Sequence, residues 1–108
     1  MLRVKILRII LINNEDPSLF DKLVKLENTT VLLKNKPSIN GRIFMYLVNK
    51  YDKVRKSLKG YMGYISSVIQ SIETEDKQLH KGAIVTIETI QGVIIFEVLD
   101  NEKEEARI

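Results

Sequence analysis

The sequence contains no cysteine and no tryptophan, and it has a single histidine and two prolines among 108 residues. Without cysteine the chain can form no disulfide, no reactive thiol and no cysteine-based zinc site, which is compatible with a reducing cytoplasm. The abundance of Ile and Lys beside these absences is compatible with a thermophilic source. We therefore expect a cytoplasmic protein.

Long apolar runs are also absent. No stretch reaches the roughly 20 apolar residues that span a bilayer. Residues 1–12 combine basic and apolar side chains in the manner of a secretory signal, but Arg8 interrupts the apolar run and a polar turn follows from Asn13. The sequence therefore predicts neither a signal peptide nor a membrane partner.

The groups needed for catalysis are sparse. His80 lies in a polar loop without an obvious nucleophile, and Ser66 and Ser67 lack the G-x-S-x-G elbow of hydrolases. The acidic residues within 73–76 lack the spaced oxygens and the glycine of a calcium loop, and no phosphate-binding glycine motif occurs. The pattern predicts a non-enzymatic protein with no metal and no cofactor.

The chain is long enough to bury one core and too short for two independent domains. We see no internal repeat, low-complexity segment or linker. We therefore expect one compact domain over residues 1–108, in which residues 100–108 form a frayed acidic tail.

The first third of the chain has a strand-helix-strand pattern. Apolar and basic residues alternate from residue 2 and predict a strand over residues 2–12. Asp16 and Pro17 are good helix-start residues, and Asn28 is a plausible stop, so a helix is expected between them. Residues 29–33 then read as a buried strand. Strand, helix and strand within about 30 residues predict a right-handed parallel crossover.

A second helix is predicted over residues 39–58. Its apolar residues fall on one half of a helical wheel, as in a core-facing helix. They are Ile39, Ile43, Phe44, Leu47, Val48, Tyr51, Val54 and Leu58. Gly60 is expected to end this helix.

The last part of the chain reads as strands. Residues 61–73 fit a strand, although a helical face is an alternative, and the β-branched content favours the strand. Residues 83–90 and 93–99 alternate clearly and are joined by a tight turn at residues 91–92. The predicted fold class is α/β: a two-layer sandwich of order β-α-β-α-β-β-β, with a mixed sheet and a C-terminal antiparallel hairpin.

The predicted second helix carries a concentrated positive charge. Residues 42–59 contain six Lys and Arg against one Asp, a charge of +5, whereas the whole chain carries +3. Local positive charge of this kind attracts polyanions. The predicted phosphate-binding residues are Arg42, Lys50, Lys53, Lys56 and Lys59, and the tyrosines that could stack on bases are Tyr46, Tyr61 and Tyr64. We therefore expect salt-dependent binding of DNA or RNA, the alternative being a merely solvated basic face.

Two local patterns resemble families that bind nucleic acid. Gly60 and Gly63 form a GxxG that resembles the backbone clamp of KH domains, although Tyr61 and Met62 stand between the glycines where KH loops usually carry basic residues. The predicted element order is similar to that of Alba-type archaeal chromatin proteins, with residues 34–38 in place of their loop after strand two. Each resemblance implies contact with nucleic acid.

The last strand suggests a second class of function. Ile94, Phe96 and Val98 alternate with other apolar residues, so this strand is apolar on both faces. Such a strand is either central in its own sheet or covered by a partner. The alternative function is therefore a protein-interaction or scaffold subunit, a homodimer or a component of a complex, with an interface at Ile94, Phe96 and Val98. An acidic protein bound to the basic helix is a further option.

Overall fold

The structure, a computed structural model, describes residues 2–12, 24–48, 56–57, 60–61 and 63–101. For residues 56, 57, 60, 61 and 101 it describes the backbone only. These ranges contain nine strands, and Val24 is the single helical residue within them. The strands are β1 (Leu2–Leu11), β2 (Thr30–Leu33), β3 (Phe44–Leu47), β4 (Lys56–Ser57), β5 (Gly60–Tyr61), β6 (Gly63–Ile65), β7 (Ile69–Thr74), β8 (Ile84–Thr89) and β9 (Gly92–Asn101).

Seven of these strands form one antiparallel sheet in the order β6-β3-β2-β1-β9-β8-β7, and β4 pairs with β5 separately. The two ten-residue strands β1 and β9 pair along their whole length, from Leu2 opposite Asn101 to Leu11 opposite Gly92. β2 pairs with the first half of β1, and β8 pairs with β9 on the other side. The long β1–β9 pair is therefore the middle of the sheet.

The two outer strands of this sheet, β6 and β7, are joined by only three residues, 66–68. These residues and Ile69, the first residue of β7, hydrogen-bond to the chain on both sides, and we call residues 66–69 the corner segment. The Ser66 N–H donates to the Ile43 carbonyl at 2.9 Å, and the Ile69 N–H donates to the Gly41 carbonyl at 2.8 Å. On the other side, the Val68 carbonyl accepts from the Ile90 N–H at 3.2 Å. Residues 63–74 thus form one bent path that pairs first with β3 and then with β8, and the sheet closes into a barrel.

Apolar side chains fill the inside of the barrel. Successive strand residues point to opposite faces, so every second position is directed inward. The largest fully buried side chains are Phe96, Ile6, Leu33, Met45, Ile69, Ile87, Val4, Val31, Val85 and Val98. Most of them are β-branched or aromatic, the residue types that suit a pleated, buried surface. Burial of this interior is the main favourable term for the fold.

Two asparagines mark bulges where the barrel bends. Asn40 has a φ of 69°, and residues 40 and 41 together face Ile69. Asn28 has a φ of 63°, and residues 28 and 29 together face Ile6. An extra residue on one strand increases the local bend, and asparagine tolerates the left-handed backbone that such a bulge requires.

The predicted α/β class is wrong, because the region of the second helix contains β3 and β4. From Arg42 to Leu47 the side chains alternate: Ile43 and Met45 are buried, whereas Phe44 is 40% exposed. A helix would place Ile43 and Phe44 together on one buried face. The apolar residues of this segment fit both the helical period of 3.6 residues and the strand period of 2, and pairing with β2 and β6 selects the strand. Residues 49–55 and 58–59 lie outside the described ranges.

The predicted parallel crossover is also wrong. β1 and β2 run antiparallel, with Leu2 opposite Leu33 and Lys5 opposite Thr30. Most of the predicted first helix lies outside the described residues. At its end Val24 is helical and residues 25–28 form a turn, in which the Glu27 N–H donates to the Val24 carbonyl at 3.1 Å. An antiparallel pair needs no crossover helix, so the spacing between these strands does not decide their direction.

The strands predicted at residues 2–12, 29–33, 83–90 and 93–99 are confirmed in the described residues, with small shifts at their ends. The region of residues 61–73 is extended as predicted, but it is divided among β5, β6 and β7 instead of forming one strand. Of the predicted acidic tail, Asp100 and Asn101 belong to β9, and residues 102–108 lie outside the described ranges. The KH-like clamp is not formed, because Gly60 and Gly63 lie in β5 and β6 rather than between two helices. The Alba-like element order is not found either, because β3 and β4 lie where it requires the second helix.

The loop after β7 is organised by Asp76. Its carboxylate accepts hydrogen bonds from the Gln78 N–H at 3.0 Å and from the His80 N–H at 2.9 Å. The same carboxylate lies 2.9 Å from His80 Nδ1. The His80 N–H is the main reason that the pKa of Asp76 lies below its usual range. The turn holds Leu79 at a φ of 57°, which a leucine disfavours, and places its side chain in the core.

Phe96→Ala should lower the free energy of unfolding by about 3–5 kcal/mol, because it empties the largest buried side-chain volume of the barrel. Denaturant unfolding measures this cost. Phe44→Ala is the matched control, since it removes the same atoms from a ring that is 40% exposed, and it should cost far less. Equal costs for the two variants would contradict the inward direction of Phe96.

Ser66→Ala should destabilise the corner segment by about 1–3 kcal/mol, because the Ser66 hydroxyl accepts the Ile43 N–H at 2.9 Å in a buried position. Without the hydroxyl this N–H loses its partner. Ser71→Ala on β7 is the control, because the Ser71 side chain is half-buried and reaches water. If both serine variants unfold at the same denaturant concentration, the hydroxyl does not hold the corner.

Asp76→Asn should lower the thermal midpoint at neutral pH, since folding favours the charged Asp76 carboxylate. A lowered folded-state pKa contributes stability above the unfolded pKa of about 3.9, and this contribution is lost as the pH falls through the folded value. The difference between wild type and variant should therefore shrink below about pH 4. Glu75→Gln, which removes one charge from the residue before Asp76, controls for net charge. A difference that grows on acidification would refute the assignment.

Candidate functional site

The outward side chains at the start of β3 form the most distinctive surface of the barrel. Arg42, Phe44 and Tyr46 follow one another at the strand period of two, while Ile43 and Met45 between them are buried. Phe44 is 40% exposed and Tyr46 is half-buried. Burial of the alternate residues thus places a cation and two aromatic rings in one outward row.

β6 completes this surface from the neighbouring position. Ile65 lies opposite Phe44 and is 44% exposed, and Gly63 lies opposite Tyr46. A Cβ at Gly63 would come within 2.4 Å of the Met45 carbonyl oxygen, so only glycine allows the strands to approach this closely. An open groove of about 210 Å³ lies beside Gly63 and Tyr46. We call it the aromatic groove; it is lined by Phe44, Tyr46, Gly63, Tyr64 and Ile65.

Cationic side chains border the aromatic groove. The Lys34 ammonium lies over the Phe44 ring, 5.7 Å from its centroid, within the range of a cation–π contact. The Arg42 guanidinium donates to the Ser66 carbonyl at 3.2 Å, which ties it to the corner segment while its side chain stays exposed. Lys36 does not line this groove, because its ammonium donates to the Lys77 carbonyl at 2.8 Å in the loop after β7. The groove therefore combines flat apolar faces with positive charge.

The charges of the described residues are divided between two sides of the barrel. Residues 2–12 and 24–48 carry seven Lys and Arg against one acidic residue, Glu27. Residues 63–101 carry two Lys against six Asp and Glu. Around the closed barrel, β1 and β9 separate β2 from β8 in one direction, and β3 and the continuous β6–β7 path separate them in the other, so β2 and β8 lie on opposite sides. The aromatic groove lies at the edge of the cationic side, because Phe44 and Tyr46 belong to β3 whereas Gly63, Tyr64 and Ile65 belong to β6.

The structure assigns different places to the predicted phosphate-binding residues. Arg42 is exposed beside the aromatic groove, whereas the basic helix predicted to carry the set is not formed in the described part. The backbone of Lys56 lies in β4, and Lys50, Lys53 and Lys59 lie outside the described residues.

Two of the three predicted stacking tyrosines line the aromatic groove. Tyr46 faces outward, while Tyr64 lies opposite the buried Met45 and packs against the core. Tyr61 belongs to β5, of which the backbone is described. Sequence reasoning missed Phe44, Ile65 and the contact between Lys34 and Phe44. The period of two over residues 42–47 is the signal that could have found Phe44.

The predicted interface residues Ile94, Phe96 and Val98 are core residues, all buried inside the barrel. β9 has a partner on each side, β1 and β8, so it offers no free edge for extension of the sheet. Of the two alternatives for this strand, the central position is the one found. Its outward residues include Val93, Ile95 and Glu97, which are half-buried.

Other kinds of site find little support in the described residues. No three His, Asp or Glu side chains among them come together as metal ligands. His80 is exposed, and its contact with Asp76 belongs to the loop turn described above. Within the same ranges there is no helix of the length and apolarity needed to cross a membrane.

Sequence and structure comparisons add no relative from which a role could be transferred. No family model matches the chain, and no match is found among curated proteins or among solved structures.

Proposed function

We propose that this protein binds single-stranded nucleic acid on the cationic side of the barrel. In this proposal bases contact Phe44 and Tyr46 in the aromatic groove, and phosphates contact Lys34 and Arg42 at its border. The observation that carries the proposal is the exposed ring of Phe44, with the Lys34 ammonium 5.7 Å from its centroid. Base stacking on aromatic side chains beside a positively charged groove is the usual design of proteins that bind single strands.

The exposed ring favours a single strand over a duplex. In a duplex the base faces are stacked on one another and are not available to Phe44. A single strand presents unstacked bases, each of which has a flat face that matches a ring on a β-surface. Phe44 at 40% exposure has contact area to offer, whereas a site for phosphates alone would not need it.

The phosphates would be held without sequence preference. Beyond Lys34 and Arg42, the outer face of β1 contributes Lys5 and Arg8 to the same side of the barrel. Each phosphate neutralised on a single strand contributes a slope of about −0.7 to the salt dependence of the binding constant on a logarithmic scale. Affinity should therefore fall steeply with salt and vary little with base sequence.

The proposed nucleic-acid contacts lie on the surface of a barrel, whereas the sequence predicted them on a helix. The protein is proposed to act without catalysis and in the cytoplasm. Recognition of an acidic protein by the same cationic surface is the competing function. It would use Lys34 and Arg42 but would not require a base to stack on Phe44.

The test is binding to labelled single-stranded and duplex DNA and RNA over a salt series, measured by fluorescence anisotropy. Phe44→Ala should weaken single-strand binding about 5- to 150-fold, the equivalent of about 1–3 kcal/mol per stacked base. Ile90→Ala, which truncates an apolar residue that is 49% exposed after β8 and does not line the aromatic groove, should leave binding unchanged.

A second pair of variants separates local from total charge. Lys34→Glu should weaken binding and lower the salt slope, whereas Lys81→Glu, with the same change of net charge on the acidic side, should do much less. Absence of binding at low salt would refute the proposal. Binding that is lost in Lys34→Glu but unchanged in Phe44→Ala would refute the stacking role and favour an acidic partner.

A further inference from the structure

The acidic side of the barrel carries a groove of its own. It has a volume of about 720 Å³ and runs along β7 and the start of β8. Glu73, Glu75 and Asp76 border it, and Ala83 and Ile84 contribute apolar surface. Ile84 is 49% exposed, although it is a large apolar residue in the middle of a charged surface. We call this depression the acidic groove.

The two grooves are complementary in composition. The aromatic groove has an apolar centre at Phe44 and Ile65 with Lys34 and Arg42 at its border. The acidic groove has apolar surface at Ile84 with carboxylates at its border. An apolar centre loses unfavourable contact with water on association, and opposite charges around it steer and orient the partner.

Their position prevents one molecule from joining its own grooves. The aromatic groove lies between β3 and β6, and the acidic groove lies along β7 and the start of β8. Both grooves open on the convex outer face of the barrel, so they cannot meet within one molecule. A contact between the two grooves must therefore be made between two molecules. Since each molecule contributes a different surface, the contact is heterologous and can be repeated in a head-to-tail manner.

We propose that this protein self-associates head to tail, with the aromatic groove of one copy seated on the acidic groove of the next. Lys34 and Arg42 of one copy face Glu73 and Glu75 of its neighbour, and Phe44 packs near Ile84. This contact does not depend on nucleic acid. It covers the surface assigned above to the single strand, so the two occupants compete for Phe44 and Lys34.

Sedimentation velocity tests the contact on the full chain. At an ionic strength of about 0.01 M, where screening extends over about 30 Å, the weight-average mass should rise with protein concentration above the chain mass of 12.5 kDa. At about 1 M salt, where screening extends over about 3 Å, the mass should return to that of one chain. A constant mass of one chain at low salt would overturn the proposal.

Exchange of charges between the two faces tests the assignment of the surfaces. The variant Lys34→Glu/Arg42→Glu and the variant Glu73→Lys/Glu75→Lys should each remain monomeric, because like charges then meet at the contact. An equimolar mixture of the two should associate again, because the reversed faces are complementary, and this recovery also shows that both variants fold. Failure of the mixture to associate, when the wild type does, would refute these grooves as the contact.

Nucleic-acid binding by the same variants keeps the two proposals separable. Glu73→Lys/Glu75→Lys lies on the acidic side and should bind a labelled single strand at least as well as the wild type. A wild type that self-associates but binds no single strand refutes the proposed function alone. A wild type that binds a single strand but stays monomeric refutes self-association alone.

Discussion

The structure depends on the closure of its sheet at the corner segment. Residues 66–69 hydrogen-bond to the chain before β3 on one side and to the chain after β8 on the other. The hydroxyl of the buried Ser66 adds a bond from the Ile43 N–H at 2.9 Å. This segment unites the two outer strands of the sheet, so the apolar faces of all strands enclose one interior. An open sheet of this length would leave the same apolar face in water.

Closure also decides what remains outside. Once Ile43, Met45 and Ile69 are directed inward, the pleat requires their neighbours to point outward. Phe44 and Ile65 are therefore exposed because of the strand period and not because they are polar. Gly63 lets β6 approach the Met45 carbonyl closely, and the groove beside Tyr46 lies between these two strands. The candidate site is thus a consequence of how the core is packed.

The chain order explains the division of charge between the two sides. Strands that follow one another along the chain are neighbours around the barrel, and the last strand returns to the first. In such a meander, a difference in charge between the first and second halves of the chain becomes a difference in charge between two sides of the barrel. In the described ranges, residues 2–12 and 24–48 carry seven Lys and Arg against one Glu, and residues 63–101 carry two Lys against six Asp and Glu. At the boundary, Arg3 faces Asp100 and Lys5 faces Glu97 across β1 and β9.

The amino-acid sequence by itself determined most strands, including β1, β2 and the β8–β9 hairpin, since their alternation and β-branched residues fit no other element. It also determined the excess of positive charge before residue 62. The tertiary structure alone decided that residues 44–47 form a strand, because their apolar residues fit both periods and the pairing partners β2 and β6 are distant along the chain. It alone decided that Phe96 is internal and Phe44 external, because the direction of a side chain depends on which neighbours close the barrel.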